Sequence, residues 1–262
     1  MRSLRYAPAA AALLLLSGGL GGCAALPAPA LRQIEEADQA YRAQRYRAAE
    51  ELLSPVIEAH PENPDIAEAL YVRALCRLRT QRAAEARADL DAALTRARRD
   101  ELIDRIHTQL GNLEFDQERY NRAAAYYAEA YDGLPDRPPK DRVGYQYGIA
   151  LQRTGRTTEA RLVLAEVATD FPQSEFAVKA RRKTEWSNDY FAIQCGVFES
   201  IARAHAQAKT LKDQGIDAIA IPDTSVSTKR YMVRVGRYRT YAAARQALSA
   251  VQRVQPDAFI VP

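Results

Sequence analysis

The chain has 262 residues, of which 47% are hydrophobic and 27% charged, and its formal net charge at pH 7 is +4. Loss of Arg2 and Arg5 with an N-terminal leader would lower that charge to about +2, too balanced to predict a polyanion ligand from the total alone. The three cysteines, Cys23, Cys76 and Cys195, match no metal-ligand spacing. Neither the net charge nor the cysteine spacing therefore predicts nucleic-acid or metal binding. Function has to be inferred from motifs along the chain.

The first predicted element is a secretion signal over residues 1–22. Arg2 and Arg5 precede an apolar run from Ala7 to Leu16. That run is shorter than the roughly 20 residues that a transmembrane helix needs. The order of charged, apolar and small-residue segments therefore predicts a cleaved leader and not a membrane span.

The segment Leu20-Gly-Gly-Cys23 resembles the lipobox of bacterial lipoproteins. The resemblance implies that Cys23 is lipidated and becomes the N-terminus, and several acyl chains at one end give stable anchoring. Ala24 in place of Asp after the cysteine resembles the outer-membrane class, so the implied location is the outer membrane, facing the periplasm. Residues 23–30, rich in Pro and Ala, are predicted to be a tether.

A helical array is predicted over residues 31–186 from an internal repeat. Small residues recur every 37 positions, and an alanine follows each of them twelve residues later. Such residues let the two helices of a hairpin approach closely, and prolines that close three of the four units end the second helix. The repeating positions are Ala37, Ala74, Gly111 and Gly148, then Ala49, Ala86, Ala123 and Ala160, with closing Pro61, Pro135 and Pro172.

This pattern resembles the tetratricopeptide repeat (TPR) family, whose unit of 34 residues is here lengthened by about three in the loops. The resemblance implies a solenoid whose concave groove docks a protein partner. Ordinary core packing is the alternative for each groove residue, and a helix near residues 173–186 is expected to cap the stack. The implied groove positions are Tyr71, Leu75, Asn112, Phe115, Tyr145, Ile149 and Gln152.

From Tyr190 the sequence alternates with the period of a strand. The pattern places one set of residues on a core face and the other on an open face that carries Gln194 among aromatics. A solvated antiparallel face would normally be charged. The core set is Phe191, Ile193, Cys195 and Val197, and the open set is Tyr190, Ala192, Gln194 and Phe198.

The remaining C-terminal elements complete a β-α-β-β-α-β order. Ser200 and Thr240 are candidate N-caps for helices over residues 201–214 and 241–254, and Gly215 ends the first of them. Strands are predicted over residues 216–221, 230–236 and 257–261. This order is typical of a four-stranded antiparallel sheet with two helices on one side.

Two segments of this region repeat one motif: FAIQCGVF at residues 191–198 and YMVRVGRY at residues 231–238. Both motifs, in this order and topology, resemble the SPOR (sporulation-related repeat) domain over residues 187–262. The sequence departs from that family at Arg237, where Pro is common, and at Cys195, where an aliphatic or small residue is usual. The fold class is therefore α followed by α+β, a TPR-like solenoid and a SPOR domain.

The SPOR resemblance implies binding to peptidoglycan, in particular to glycan strands that have lost their stem peptides at division septa. Sugars need amide and guanidinium partners for hydroxyls and acetamides, and flat apolar surface for ring faces. Gln194 and Arg234 are candidates for the polar contacts, or alternatively are simply solvated. The candidate apolar platforms are Tyr190, Phe198, Met232 and Tyr238, of which Phe198 and Tyr238 have the alternative of joining the core.

No catalytic or metal constellation is found in the sequence, and no enzyme activity, cofactor or metal is expected. His60, His107 and His205 stand apart from any His or Glu partner at ligand spacing. Basic and aromatic residues on such a sheet also describe RNA-binding domains, but export excludes nucleic acid as the expected ligand. Cys76 and Cys195 fall in separate domains and are predicted to be buried free thiols.

Two hypotheses follow. In the first, a lipid-anchored envelope protein binds septal glycan through the C-terminal domain and docks an unidentified envelope or division protein through its repeats. In the second, the repeats are the working part of an outer-membrane assembly scaffold, and the C-terminal domain is a passive wall anchor.

Overall fold

The structure is a computed structural model that describes residues 25–184, 189–223 and 229–262. The predicted leader and Cys23 lie outside these residues. Within them, every helix is too short or too polar to cross a membrane. The chain divides into two compact units: residues up to Gln117 together with 132–134 form the first, and residues 118–131 with 135–262 form the second.

The first unit is built from helical hairpins. Helix α1 packs against α2 and α3 against α4, while α2 also contacts α3 and α4 contacts α5. Each helix buries apolar residues, and α3 does so over most of its surface. The helices are α1 (Ala28–Arg42), α2 (Tyr46–Ala59), α3 (Ile66–Arg79), α4 (Ala83–Arg96) and α5 (Asp100–Asp116).

Helix α1 begins three residues earlier than the sequence predicted. Pro29 lies in its first turn, where the missing N–H of proline costs no hydrogen bond, and Pro27 takes the N-cap position. Leu26, just before the helix, is only 4% exposed. The last three residues of the segment predicted to be a tether, 28–30, are helical.

The second unit continues with four helices. Helices α7 and α8 form a hairpin, and α9 packs against both of them in the capping position that the sequence predicted. Residues 185 and 186 of the predicted cap lie outside the described residues. The helices are α6 (Tyr120–Gly133), α7 (Lys140–Arg153), α8 (Thr157–Asp170) and α9 (Glu175–Thr184).

The 37-residue period is visible in the packing. All the small residues that define it are buried, and a Cβ on Gly148 would lie 2.6 Å from the side chain of Leu164. The period recurs in the turns between paired helices, where one residue per unit has a positive φ angle. These residues are Gln44, Gln81, Glu118 and Gly155, at +60°, +63°, +59° and +82°.

The C-terminal part is a four-stranded sheet with two helices. The strand order is β2-β3-β1-β4, and every neighbouring pair is antiparallel. Both helices contribute to one buried cluster, with Ile193, Val233 and Val235 from the sheet and Leu211 from a helix. The elements are β1 (Phe191–Phe198), α10 (Ile201–Asp213), β2 (Ala218–Pro222), β3 (Tyr231–Tyr238), α11 (Tyr241–Gln252) and β4 (Phe259–Val261).

The predicted first residues of both helices are confirmed, while α10 ends one residue and α11 two residues before the predicted ends. The Thr240 hydroxyl accepts a hydrogen bond of 3.2 Å from the backbone N–H of Ala243, as a capping side chain does. Ser200 takes the N-cap position of α10, but its side chain makes no capping bond. Gly215 follows the end of α10 with φ of +81°, which is the left-handed conformation expected after a helix.

Candidate functional site

Each strand of the doubled motif changes register beside its glycine. In β1 the pairing with β3 shifts between Gln194 and Gly196, so that the strand has one extra residue at Cys195. A second shift gives β3 an extra residue between Val235 and Tyr238, where Gly236 has φ of +71°. An extra residue of this kind reverses which face the following side chains occupy.

The shifts carry both terminal aromatics of the motif to the helix side. Phe198 and Tyr238 pack against the buried cluster beneath the two helices. The Phe198 ring lies 2.8 Å from where a Cβ on Gly196 would stand, and the Tyr238 ring occupies the equivalent space at Gly236. Burial raises the pKa of Tyr238. In both copies of the motif, therefore, the glycine makes room for the aromatic side chain two residues later.

The alternation predicted for β1 is consequently wrong beyond Cys195. Val197, predicted to face the core, is 44% exposed and lies opposite Met232. Phe198, predicted to face outward, is the residue that packs inward. Phe198 and Tyr238 are thus removed from the candidate binding surface, in line with the core alternative.

A row of four side chains crosses the open face at its centre. Gln194 lies opposite Arg234, as the sequence predicted for neighbouring central strands. Phe259 of β4 lies opposite Gln194, and Ile219 of β2 lies opposite Arg234. The row therefore has two polar residues in the middle and an apolar residue at each end.

Arg234 has hydrogen-bonding capacity to spare. Its Nη2 lies 3.3 Å from the sulfur of Met232, which is a weak acceptor. Its Nε is buried without a hydrogen-bond partner among the described residues. An unpaired guanidinium N–H is costly, so a shift of the Arg234 side chain that gives this group an acceptor would be favourable.

Apart from Met232, the apolar part of this face was missed by sequence reasoning. Phe259 is 53% exposed and Ile219 is 41% exposed, and Ile221 lies opposite Met232 beside them. A signal was available, since IDAIAI and DAFIV place large apolar residues on both faces of a strand. A solvated face would carry polar residues at those positions. Together, Gln194, Val197, Ile219, Ile221, Met232, Arg234 and Phe259 are called the open face.

Tyr190 lies just before β1 and is stacked by a cation. The guanidinium carbon of Arg237 is 5.1 Å from the centre of the Tyr190 ring. The ring therefore has one face covered by an arginine and is half-buried. Tyr190 keeps its expected position next to the sheet, but as one half of a stacked pair.

Most of the predicted protein-docking groove is interior. Tyr71, Leu75, Asn112 and Ile149 are 2%, 7%, 5% and 9% exposed, which excludes them from a surface open to a partner. Their placement follows the core-packing alternative. Phe115, Tyr145 and Gln152 are half-buried and remain candidates for a docking surface.

In the last hairpin, helix α9 covers Tyr145, one of the predicted groove residues. The Tyr145 ring lies 5.7 Å from that of Phe176 on α9, with an angle of 43° between the planes. Burial raises the pKa of Tyr145. Helix α9 therefore covers part of the Tyr145 side chain, which is why this position is not fully open.

Arginines of the first unit are engaged in ion pairs between helices. Asp89 of α4 binds Arg73 at 2.8 Å and Arg77 at 2.9 Å, both from α3. Glu50 of α2 binds Arg77 and Arg82. Burial by itself would raise the pKa of Glu50, but hydrogen bonds from the two arginines hold it below its usual value. These charges stabilise the hairpin stack.

The two described cysteines are buried and free, as predicted. Burial raises the pKa of the Cys76 thiol to about 12 and that of Cys195 to about 11. Thiols with such values carry little thiolate near neutral pH, so neither is a reactive group.

Comparison with known families supports both halves of this description. A family model described as a SPOR domain matches residues 187–262. A tetratricopeptide repeat model matches residues 34–101 and 108–175, which together exceed half of the chain. No curated protein matches the chain.

Similar solved structures are TPR proteins of low identity. One is YrrB, described as a TPR protein with an unusual peptide-binding site: it is 18% identical, with 59% of this chain and 84% of that chain covered and a TM-score of 0.48. Another is a putative kinesin light chain with nearly identical TPR-like repeats from Podosopora anserina. It is 14% identical, with 71% of this chain and 90% of that chain covered and a TM-score of 0.48.

Proposed function

The chain belongs to the tetratricopeptide repeat family and carries a C-terminal SPOR domain, and from that premise we propose that it is a lipid-anchored envelope protein that holds a protein partner at peptidoglycan. SPOR domains bind peptidoglycan, and tetratricopeptide repeats mediate protein–protein interaction. Both are binding families and not catalytic ones.

The observation that carries the proposal is the open face. Gln194 and Arg234 lie side by side at its centre, and Phe259, Ile219 and Val197 are exposed around them. A sugar strand has the complementary chemistry, because its hydroxyls and acetamides bind amide and guanidinium groups while its ring faces bind apolar surface.

The residues that define the open face include an arginine and no carboxylate, and this favours one form of glycan. When an amidase removes a stem peptide, the lactyl group of each muramic acid becomes a free carboxylate. Arg234 is half-buried on this face, and hydrogen bonds between charged partners are the strong ones. The proposed ligand is therefore the denuded glycan strand that accumulates at division septa.

The anchoring and docking parts of the proposal have their own support. The lipobox-like segment that ends at Cys23 supports attachment to a membrane, and Ala24 supports the outer membrane. The half-buried Phe115, Tyr145 and Gln152 are what the repeat surface offers a protein. A protein held there would be brought to the septum, which suits a role in division or wall remodelling.

The test is a pull-down of the full chain, carrying Cys23→Ser for solubility, with peptidoglycan sacculi before and after amidase treatment. We expect binding that increases after treatment and falls in Gln194→Ala and Arg234→Ala. Arg203→Ala is the matched control, because Arg203 is exposed on α10, on the helix side of the sheet. Absence of binding to both kinds of sacculi would overturn the proposal and favour the assembly-scaffold hypothesis.

A further inference from the structure

An arginine of the last repeats is held between two tyrosines, one of them from the C-terminal domain. The guanidinium carbon of Arg153, at the end of α7, lies 4.6 Å from the ring centre of Tyr120 and 4.6 Å from that of Tyr241. The two rings meet edge to face at 5.8 Å, and Phe191 of β1 meets Tyr241 at 5.7 Å. Contact of a guanidinium with two aromatic rings is favourable when it is shielded from water, and Tyr120 is only 6% exposed.

The turn after Arg153 departs from the repeat at the point of contact. The equivalent turn residues, Gln44, Gln81 and Glu118, hold positive φ angles near that of Gly155, so the turn itself does not require glycine. At Gly155, however, a Cβ would lie 2.9 Å from the backbone oxygen of Arg239. Glycine is needed there because the C-terminal domain approaches the backbone, and the fourth unit has it where the other three do not.

Two ion pairs lie at the rim of the same contact. Glu118, in the turn before α6, pairs with Arg245 of α11, and Arg161 of α8 pairs with Asp189. All four side chains are more than a third exposed, so these pairs add orientation more than binding energy.

From these contacts we propose that the SPOR domain is latched onto the last repeats, with Arg153 as the positioning residue and Gly155 as the site of closest approach. The latch uses the start of β1 and the first turn of α11. It leaves Phe259, Ile219 and Val197 of the open face exposed. On the proposed function, a bound glycan strand is therefore held at a fixed angle to the helices α6–α9.

The latch is tested by a distance measurement that needs no ligand, so its failure is distinguishable from failure of glycan binding. Spin labels are attached at Thr169→Cys on α8 and Lys209→Cys on α10, both exposed positions, in the full chain carrying Cys23→Ser. The buried Cys76 and Cys195 have raised pKa values and should remain unlabelled. Pulsed electron spin resonance then gives the distribution of label separations.

We expect one narrow distance in the otherwise unchanged chain and a broad distribution in Arg153→Ala and in Gly155→Gln. Glutamine occupies the equivalent turn at positions 44 and 81, so Gly155→Gln should separate the domains without unfolding the hairpin. Gln81→Gly and Arg203→Ala, which alter a turn of the first unit and an exposed arginine on α10, should keep the narrow distance.

A broad distribution before any latch substitution would overturn the proposal. So would a narrow distance retained in Gly155→Gln, provided that circular dichroism shows the helices intact. If circular dichroism shows that Arg153→Ala has lost helix, the distance distribution of Gly155→Gln decides the test.

Discussion

Gln194 and Arg234 face one another across β1 and β3, the two central strands of the C-terminal sheet. The pair places an amide, which donates and accepts, beside a guanidinium whose Nε has no partner among the described residues. Phe259 and Ile219 flank this pair on the outer strands. The pair is therefore the polar centre of an otherwise apolar surface.

The first prediction concerns Arg234. We expect Arg234→Ala to weaken binding to denuded glycan by about tenfold or more, since a hydrogen bond to a charged group contributes about 1.5–3 kcal/mol. Arg234→Lys should recover only part of the affinity, because lysine keeps the charge and loses the fork. Dissociation constants for amidase-treated glycan fragments are the measurement. Equal affinity in Arg234→Ala and Arg203→Ala would remove Arg234 from the site.

The second prediction concerns the apolar end of the row. Phe259→Ala should weaken glycan binding by about fivefold, which corresponds to about 1 kcal/mol of lost apolar contact. Ile201→Ala is the matched control: Ile201 is 49% exposed, close to the 53% of Phe259, but lies at the start of α10. If both substitutions change the dissociation constant equally, general surface hydrophobicity and not the open face is responsible.

Some features of the C-terminal sheet were predictable from the sequence and others were not, depending on the sequence pattern that marks them. The pairing of Gln194 with Arg234 was predictable because the two motifs repeat in sequence. The inward turn of Phe198 and Tyr238 was not, because strict alternation assumes no extra residue in a strand. The glycines were the clue, since a glycine inside a strand often marks such an irregularity.

The structure of the repeats was also only partly predictable from the sequence. The period of 37 residues predicted the helices and the close approach at Gly148. It did not predict that Tyr71 and Asn112 are buried, because side chains on one helix face have the same spacing whether that face is open or covered. Burial there depends on contacts between elements distant in sequence.

The third prediction separates two reasons for a glycine. Gly215→Ala should cost about 1 kcal/mol of unfolding free energy, because φ is +81° but nothing lies within 4 Å of the new Cβ. Gly236→Ala should cost about 3 kcal/mol, because the Tyr238 ring must also move. Urea unfolding of the full chain measures both. Equal losses would show that the ring relocates freely and that backbone conformation alone selects glycine.

The last prediction uses Lys183, on α9. Burial, and after it the nearby charge of Arg153, lower the pKa of Lys183 from 10.5 to about 8. Below pH 8 the native chain must carry a charge in a position that disfavours it. Between pH 8 and pH 10.5 the native amine is neutral while the unfolded chain still binds the proton, so this group's contribution to stability rises with pH across that window.

Lys183→Met should therefore raise the unfolding free energy at pH 7 by about 1–2 kcal/mol, a figure reduced for the partial exposure of the side chain. The difference from the unsubstituted chain should shrink as pH approaches 10.5. Ionisation of the two thiols in the unfolded state also lowers stability above about pH 9, but it affects both proteins equally and cancels in the difference. Urea unfolding at about pH 7, 9 and 10.5 is the measurement. A constant difference between Lys183→Met and the unsubstituted chain at all three values would mean that the native ammonium is not disfavoured.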